Sequence, residues 1–268
     1  ADFDVLLSVR AVGLDFCDVL NVLGEYAGDL GPPGSDAAGV VAKTTDTALQ
    51  KTGNAVFGFA NAPLATMACA KSPLVVLKPI ALTFEEASTL PAVWTTVHVA
   101  MERAGASKGS AILVHASAGT VGRQAAEYGQ WLGSSTMGSA GQPHKHRQLR
   151  GISIEGACSL RDTSALAVGA SSLLGAARLD VVLNSLSLNF TAVSVALLGQ
   201  GSAFLEVGPQ AMWTMARYTA SSPLSSYSAV GLTADMARAP MWMQGLLTLL
   251  AQRVDSAILT RLPFGSFD

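Results

Sequence analysis

The sequence predicts an α/β protein in which a doubly wound parallel sheet follows an irregular β-rich domain. Three features predict this fold: turn-rich strand patterns up to about Leu82, alternating strand and helix patterns from Thr83 onward, and a glycine turn between a strand and a helix at residues 110–126. Alternating strands and helices are typical of a parallel sheet that is covered on both faces. We therefore expect two parts that are built differently.

Short strand patterns, divided by clusters of glycine, proline and aspartate, fill the first part of the chain. The predicted strands are residues 5–9, 39–42, 55–59 and 74–77, and one helical pattern at 15–23 interrupts them. This mixture predicts an irregular β domain.

The second part begins with Thr83-x-Glu85-Glu86, a pattern that favours an N-capped helix start. Strands are then predicted at 110–115, 134–138, 156–158, 180–184, 202–207 and 226–230. Helices are predicted between them, at 120–132, 144–151, 163–174, 189–198 and 235–253.

Residues 181–205 carry no charge over a length that could cross a membrane. Asn184, Asn189 and Gln200 interrupt the apolar run, as do Gly199 and Gly201. The pattern therefore favours two buried strands joined by a helix, and we expect no membrane span.

The composition excludes some classes of function. The formal net charge is −2 and no basic run occurs, so no nucleic-acid surface is expected. Charged residues make up 13% of the chain and hydrophobic residues 50%. The usual charged share is about twice as large. Such a chain either hides much of its outside or belongs to something larger.

The cysteines and the start of the chain bear on its compartment. Cys17, Cys69 and Cys158 stand far apart without a C-x-x-C pair. This spacing favours a reducing compartment, the cytoplasm or a plastid included. The chain begins with neither Met nor an apolar leader. We expect no signal peptide and a segment of a longer product.

The glycine turn is the most informative motif. An apolar run stops at His115, and a helical pattern begins at about Thr120. The spacing Ala116-x-x-Gly119-x-x-Gly122 is a relative of the dinucleotide fingerprint. Glycines let the backbone approach a pyrophosphate, and first-turn amides with the helix dipole bind it. A nucleotide site is favoured over a merely tight turn.

Several motifs then resemble one family in the same order. They are GLDFCDVL at 13–20 (family GLNFRDVL), LGEYAG at 23–28 (LGMYPG), GSDAAGVV at 34–41 (GGECAGVV), TFEEASTLP at 83–91 (SFEEAATLP), WTT at 94–96 (YTT), HASAGTVG at 115–122 (HAAAGGVG), VVLNSL at 181–186 and FLEVG at 204–208 (FLEIG). The chain resembles the enoyl reductase domain of polyketide and animal-type fatty acid synthases. This family belongs to the zinc-free, quinone-reductase-like branch of the medium-chain dehydrogenase/reductase superfamily.

The resemblance implies a GroES-like substrate domain at 1–83 and a Rossmann NADPH-binding domain at 84–255, with the cofactor in the cleft between them. Residues 256–268 would begin a return to the substrate domain that is cut short. The implied reaction transfers a hydride from NADPH to the β carbon of a trans-2-enoyl thioester on an acyl carrier protein. A proton then goes to the α carbon. Neighbouring synthase domains are implied as partners, and a homodimer is left open.

The cofactor choice follows from the end of the second strand of the parallel sheet. An NAD enzyme usually has an acid there, whereas residues 136–147 contain none. NADPH is therefore preferred, with Ser139 and a member of the Lys145, His146 and Arg147 cluster on its 2′-phosphate. The alternative for the cluster is a solvated basic helix start.

The resemblance also assigns the remaining cofactor-binding residues. In the glycine turn these are Ala116, Gly119, Thr120, Val121 and Gly122. Four further residues match positions that line the nicotinamide and its ribose: Thr96, Asn184, Ser185 and Gly208. For Asn184 the alternative is a cap at the end of a buried strand.

The resemblance implies three candidates for delivering the proton to the α carbon: Lys145, Tyr26 and Asp162. A lysine near a carboxylate keeps its proton, so Lys145 and Asp162 would make an acid with its orienting partner. The alternatives are a turn aromatic for Tyr26 and a helix N-cap for Asp162.

No metal is expected. Zinc members of the superfamily carry Cys-His in the first loop and Gly-His-Glu in the next. This chain has Asp15-Phe16 and Gly34-Ser35-Asp36 there.

Departures from the family motifs keep two other functions open. Asp15, Pro209 and the early end of the chain favour a degenerate enoyl reductase domain with a structural or docking role in the synthase. A free-standing NADPH-dependent quinone or enone reductase of the same fold is the third hypothesis.

Overall fold

The computed structural model describes residues 3–25, 31–151, 154, 156–186, 188–207, 213–259 and 262–266. In chain order its elements are β1 (Val5–Gly13), α1 (Phe16–Val22), β2 (Asp36–Thr44), β3 (Ala55–Phe59), β4 (Met67–Ala70), a 3₁₀ turn (Ser72–Leu74), β5 (Val75–Leu77), α2 (Phe84–Ser88), α3 (Pro91–Arg103), β6 (Ala111–Val114), α4 (Thr120–Leu132), β7 (Ser135–Ala140), α5 (Pro143–Arg150), β8 (Gly156–Ser159), α6 (Thr163–Leu174), β9 (Leu179–Asn184), α7 (Leu188–Ala196), β10 (Leu198–Val207), α8 (Met215–Ser221), β11 (Ser226–Val230), α9 (Leu232–Arg238) and α10 (Pro240–Asp255).

The chain divides into two compact units. The first consists of Ala1–Thr95 with Leu232–Asp268, and the second of Thr96–Gly231. These bounds differ from the expected 1–83 and 84–255, because α10 packs on the 3₁₀ turn and on β5 of the first unit. Its buried side chains are Met243, Leu246, Leu247, Leu250 and Val254.

Among the described residues, the first unit contains an antiparallel sheet of five strands in the order β4-β1-β2-β3-β5. The predicted strands at 5–9, 39–42 and 55–59 are confirmed, the first two within longer strands. The predicted strand at 74–77 is shorter, because the 3₁₀ turn that contains Pro73 occupies its start. The prediction missed β4, four residues that pair with β1 and lack a clear alternating pattern.

Two helix predictions at the ends of the first unit have different outcomes. The predicted cap before α2 is confirmed: Glu86 N donates to Thr83 Oγ1 across 3.2 Å, and Thr83 N donates to Glu86 Oε2 across 2.8 Å. The single helix predicted at 235–253 is wrong, since the chain forms α9 and α10 there. Pro240 has no N–H and disfavours helical backbone at Ala239, which has φ −139° and ψ 69°.

The second unit is built on a parallel sheet, in which the described strands follow the order β11-β10-β9-β6-β7-β8. Counted along the chain, this is the doubly wound order 3-2-1-4-5-6 of dinucleotide-binding folds. All six predicted strands and the four predicted helices of this unit are confirmed. β6 pairs with both β7 and β9, so the direction of winding reverses between β6 and β9. Ligands bind at this reversal, outside the carboxyl ends of the strands.

The apolar stretch at 181–205 forms most of β9, then α7, then most of β10, which confirms two buried strands joined by a helix. Val182, Leu183 and Phe204 from these strands are buried in the core. No helix in the described parts of the chain is long and apolar enough to cross a bilayer.

Candidate nucleotide-binding site

The predicted strand, turn and helix at residues 110–126 are present. β6 ends at Val114, and α4 begins at Thr120. Ser117 N donates to Ser139 O across 3.0 Å, and Gly119 N donates to Ala116 O across 2.9 Å. Ala116 has φ +49°, the left-handed region that L side chains rarely adopt. The turn therefore reverses the chain within five residues and is tied to the end of β7.

Gly122 lets α4 pack closely on this turn. A Cβ atom at Gly122 would lie 2.4 Å from Ser117 Cα and 2.9 Å from Ala116 O. Ser117 is fully buried, and its hydroxyl donates to Val114 O across 3.2 Å. A larger side chain at position 122 would force this buried turn to move, so glycine suits the position.

The N-terminus of α4 fits a phosphate group. Gly119 is its N-cap and offers no side-chain cap, and the first turn contains no acid. The amides of Thr120, Val121 and Gly122 cannot find acceptors inside the helix. These amides lie at the positive end of the dipole of a 13-residue helix, an arrangement that favours anions in proteins, and the helix starts at the reversal of the sheet.

His115 joins three elements inside the sheet. It is 2% exposed, its Nδ1 lies 2.9 Å from Ser139 Oγ on β7, and its Nε2 lies 2.8 Å from Ser194 Oγ on α7. Ser139 is fully buried. The assignment of the Ser139 hydroxyl to the 2′-phosphate is therefore corrected, because this hydroxyl is engaged inside the protein and has no exposed surface.

The hydrogen bonds of His115 decide its tautomer. Ser194 Oγ donates its proton to Phe190 O across 2.8 Å, so it accepts from His115 Nε2. Nδ1 is then the acceptor for the Ser139 hydroxyl. Burial lowers the pKa of His115 to about 3, so the imidazole is neutral at physiological pH.

Asn184 ends β9 at the same edge of the sheet and is fully buried. Its Nδ2 donates to Glu206 Oε1 across 2.7 Å, and its Oδ1 accepts from Leu186 N across 3.3 Å. The side chain thus caps the strand end, the alternative considered for it. Ser185, half-buried, donates to His115 O across 3.4 Å.

Glu206, the partner of Asn184, is not among the residues predicted from the sequence. It is 2% exposed on β10, and burial raises its pKa to about 7, against the opposing effect of the hydrogen bond from Asn184. The available signal was a lone acid in the apolar stretch Phe204-Leu205-Glu206-Val207. Its meaning depends on which strand lies beside β10, and the pattern does not give that.

Two proton-donor candidates lie on the second unit. Lys145 is exposed on α5, as is Arg147. Asp162 is the N-cap of α6, and its Oδ1 accepts from Ala165 N across 2.7 Å. No ion pair joins Lys145 to Asp162, both of which are described. The contact shown for the Asp162 carboxylate is therefore the helix cap, the alternative stated for it, and the orientation of Lys145 by Asp162 stays a prediction.

Known proteins resemble the chain over nearly its whole length. No family model matches it. The pikromycin polyketide synthase component PikAII of Streptomyces venezuelae is 30% identical over 98% of the chain, which spans 7% of that relative. The crystal structure of CurK enoyl reductase is 27% identical, with a TM-score of 0.89 over 97% of this chain and 82% of that one. This chain belongs to the enoyl reductase domains of the medium-chain dehydrogenase/reductase superfamily.

A further structure, mycobacterial Rv1454c complexed with NADPH, shares the fold of this enoyl reductase domain. Its TM-score is 0.85 at 20% identity, over 96% of this chain and 82% of that chain.

Three other predicted residues complete the account of this enoyl reductase domain. Thr96 is half-buried on α3. Tyr26 and Gly208 lie outside the described residues. Within the described ranges, no group of three or more His, Cys, Asp and Glu side chains could hold a metal ion.

Proposed function

We propose that this domain reduces a trans-2-enoyl thioester carried by an acyl carrier protein, at the expense of NADPH. The observation that carries the proposal is the uncapped, acid-free start of α4 beside the reversal of the parallel sheet. Because a Cβ atom at Gly122 would collide with the turn, the close packing there suits a backbone that must approach a pyrophosphate.

The preference for NADPH over NADH is part of the proposal. Residues 136–147 contain no acid that could hold an unphosphorylated ribose, and α5 carries Lys145 and Arg147 in exposed positions. With the Ser139 hydroxyl buried, the 2′-phosphate falls to Arg147, and also to Lys145 if Tyr26 is the proton donor. The NADPH complex of Rv1454c, a protein of the same fold, agrees with this choice.

NADPH, when bound, supplies the hydride that reduces the β carbon. The chain contributes binding and orientation: the amides of Thr120, Val121 and Gly122 hold the pyrophosphate, and the turn at Asn184 and Ser185 receives the nicotinamide ribose. The resemblance adds Thr96, which is half-buried on α3, to the residues proposed to bind the nicotinamide end of the cofactor.

Reduction leaves negative charge on the thioester oxygen, and the α carbon must receive a proton from a positioned acid. We assign this proton to Lys145 or Tyr26. Asp162 caps α6 through Oδ1, so we give it no part in this proposal beyond the cap.

We also propose partners for this domain, namely other synthase domains and a carrier protein. The chain spans 7% of PikAII, so that relative holds much more than one domain. We propose that the domain works beside other synthase domains and receives its substrate from a carrier protein. A pair of identical chains remains compatible with this arrangement.

The experiment follows reduced-nicotinamide absorbance with a 2-enoyl thioester, and it measures NADPH binding by calorimetry. We expect turnover, and we expect Lys145→Ala to lower turnover more than it weakens NADPH binding. NADPH binding without turnover would favour the degenerate domain with a structural role. Turnover of small quinones alone would favour the free-standing reductase.

A further inference from the structure

The carboxyl group of Glu206 is buried beside the turn that follows β9. Glu206 and Asn184 are direct partners in the parallel pairing of β10 with β9. Glu206 is 2% exposed and Asn184 is fully buried, and the 2.7 Å hydrogen bond between them lies in the interior. Burying a carboxyl group is unfavourable unless its hydrogen bonds compensate. The effect of this acid therefore depends on its hydrogen bond with Asn184.

Asn184 is the hydrogen-bond partner recorded for this carboxyl group. The other oxygen, Glu206 Oε2, is buried without a partner among the described residues. Among the described residues, the hydrogen bond of this side chain therefore goes to the Asn184 amide, and its charge also raises the pKa of Tyr227 together with burial.

Glu206 decides which way that amide faces. In its ionised form the Glu206 carboxyl group only accepts hydrogen bonds, and this form requires the amide nitrogen at the observed 2.7 Å contact. The amide oxygen then faces Leu186 N, which donates to it across 3.3 Å, and Nδ2 also lies 3.2 Å from Leu186 O. In the flipped orientation two oxygens would meet at Glu206, and the turn 184–186 would lose its cap.

This turn lies where a ligand is expected. It follows the carboxyl end of β9, next to β6, at the reversal of the sheet. Ser185 within it donates to His115 O across 3.4 Å, so the turn contacts the first residue of the glycine turn.

We propose that Glu206 is a positioning residue that orients the Asn184 amide and thereby holds the turn 184–186 in the shape that receives the nicotinamide ribose. This inference rests on the proposed function, because the cofactor enters only there. Glu206 acts through Asn184 and not by contact with the cofactor.

The test compares Glu206→Leu, Glu206→Gln and Asn184→Ala in the 268-residue chain. Phe204→Leu is the matched control, because Phe204 is fully buried on the same strand and face and is two residues from Glu206. Calorimetry measures the Kd for NADPH. Hydrogen exchange at Leu186 N–H measures the order of the turn without cofactor.

We expect Glu206→Leu to raise the Kd by about tenfold, the effect of losing a hydrogen bond to a charged group. Glu206→Gln keeps an acceptor for Asn184 and should stay within about twofold. Adding Asn184→Ala to Glu206→Leu should raise the Kd no further, because both changes remove one interaction. If Glu206→Leu does not fold, Glu206→Asp replaces it, since it withdraws the carboxylate by one methylene.

An unchanged Kd in Glu206→Leu, with normal binding by the wild type, overturns this inference and leaves the proposed function intact. An equal loss in Phe204→Leu also overturns it, because general core damage would then explain both. If the wild type binds no NADPH, the cofactor part of the proposed function fails. The rate of hydrogen exchange at Leu186 N–H then tests whether Glu206 orders the turn. Faster exchange in Glu206→Leu than in Phe204→Leu supports the hold on the turn, and equal exchange overturns it.

Discussion

His115 Nδ1 lies 2.9 Å from Ser139 Oγ, and this contact joins the ends of β6 and β7 inside the second unit. The opposite ring nitrogen bonds Ser194 on α7. The imidazole is therefore buried and neutral, and it links β7 to α7 through its two ring nitrogens. Burial lowers its pKa to about 3.

The neutral imidazole makes stability fall in acid. The folded pKa of about 3 is below the usual 6.5, so the stabilisation is complete above pH 6.5 and is lost as pH falls towards 3. Between these two pKa values, protonation of this group lowers the free energy of unfolding by about 1.4 kcal/mol for each unit by which the pH falls. Urea unfolding from pH 7 to pH 4 should show a shallower acid loss in His115→Asn than in the wild type, and a loss of about 2 kcal/mol at pH 7.

The exposed imidazole of His144 on α5 supplies the control. His144→Gln should keep the wild-type acid slope. Equal slopes in His115→Asn and the wild type would contradict the neutral buried His115.

Gly122→Ala tests the close packing of α4. A Cβ atom there would lie 2.4 Å from Ser117 Cα, so we expect a loss of about 2 to 3 kcal/mol in the free energy of unfolding. NADPH binding should weaken with it, because the turn has to shift. Chemical denaturation and calorimetry measure the two effects.

Gly245→Ala is the matched control, since it lies exposed within α10 with open space around its Cα. This change should stabilise the chain by about 0.5 to 1 kcal/mol, as alanine does in a helix interior. A Gly122→Ala chain as stable as the wild type would mean that the turn yields.

Lys145→Ala and Arg147→Ala test the 2′-phosphate site. Arg147→Ala should weaken NADPH binding by about tenfold and leave NADH binding unchanged, because only NADPH carries the phosphate. The same selective loss in Lys145→Ala would make Lys145 a phosphate ligand rather than the proton donor. Ser139→Ala should not change the preference between the two cofactors, since its hydroxyl bonds His115.

Arg150→Ala removes the same charge from the last turn of α5 and serves as the control. Competitive titration with both cofactors provides the measurement. An equal loss for NADPH and NADH in Lys145→Ala would remove that residue from the phosphate site.

Two substitutions of Asp162 distinguish a role in capping α6 from a role in catalysis. Asp162→Ala should lower the free energy of unfolding by about 1 kcal/mol, because Ala165 N loses its acceptor. Asp162→Ser keeps a cap and should keep both stability and turnover. If Asp162→Ser retained its stability but lost turnover, the carboxylate would return to the list of catalytic candidates.

Local patterns in the sequence determined the six strands of the parallel sheet and four helices of the second unit, but not α8. The apolar run before His115 and the helical pattern after Gly119 predicted β6, the turn and α4, because periodicity and glycine spacing are read within a few residues. Pro240 shows the limit, since the helical pattern continues across it while the backbone does not.

Tertiary structure alone decided the hydrogen-bond partners of Ser139 and Glu206. Ser139 faces His115 because β7 lies beside β6, and Glu206 faces Asn184 because β10 lies beside β9. Neither neighbour relation is contained in a local pattern. Burial and the choice of partner depend on contacts between residues that are far apart in the chain. These contacts place the Ser139 hydroxyl on His115 instead of a phosphate, and they place Glu206 beside Asn184.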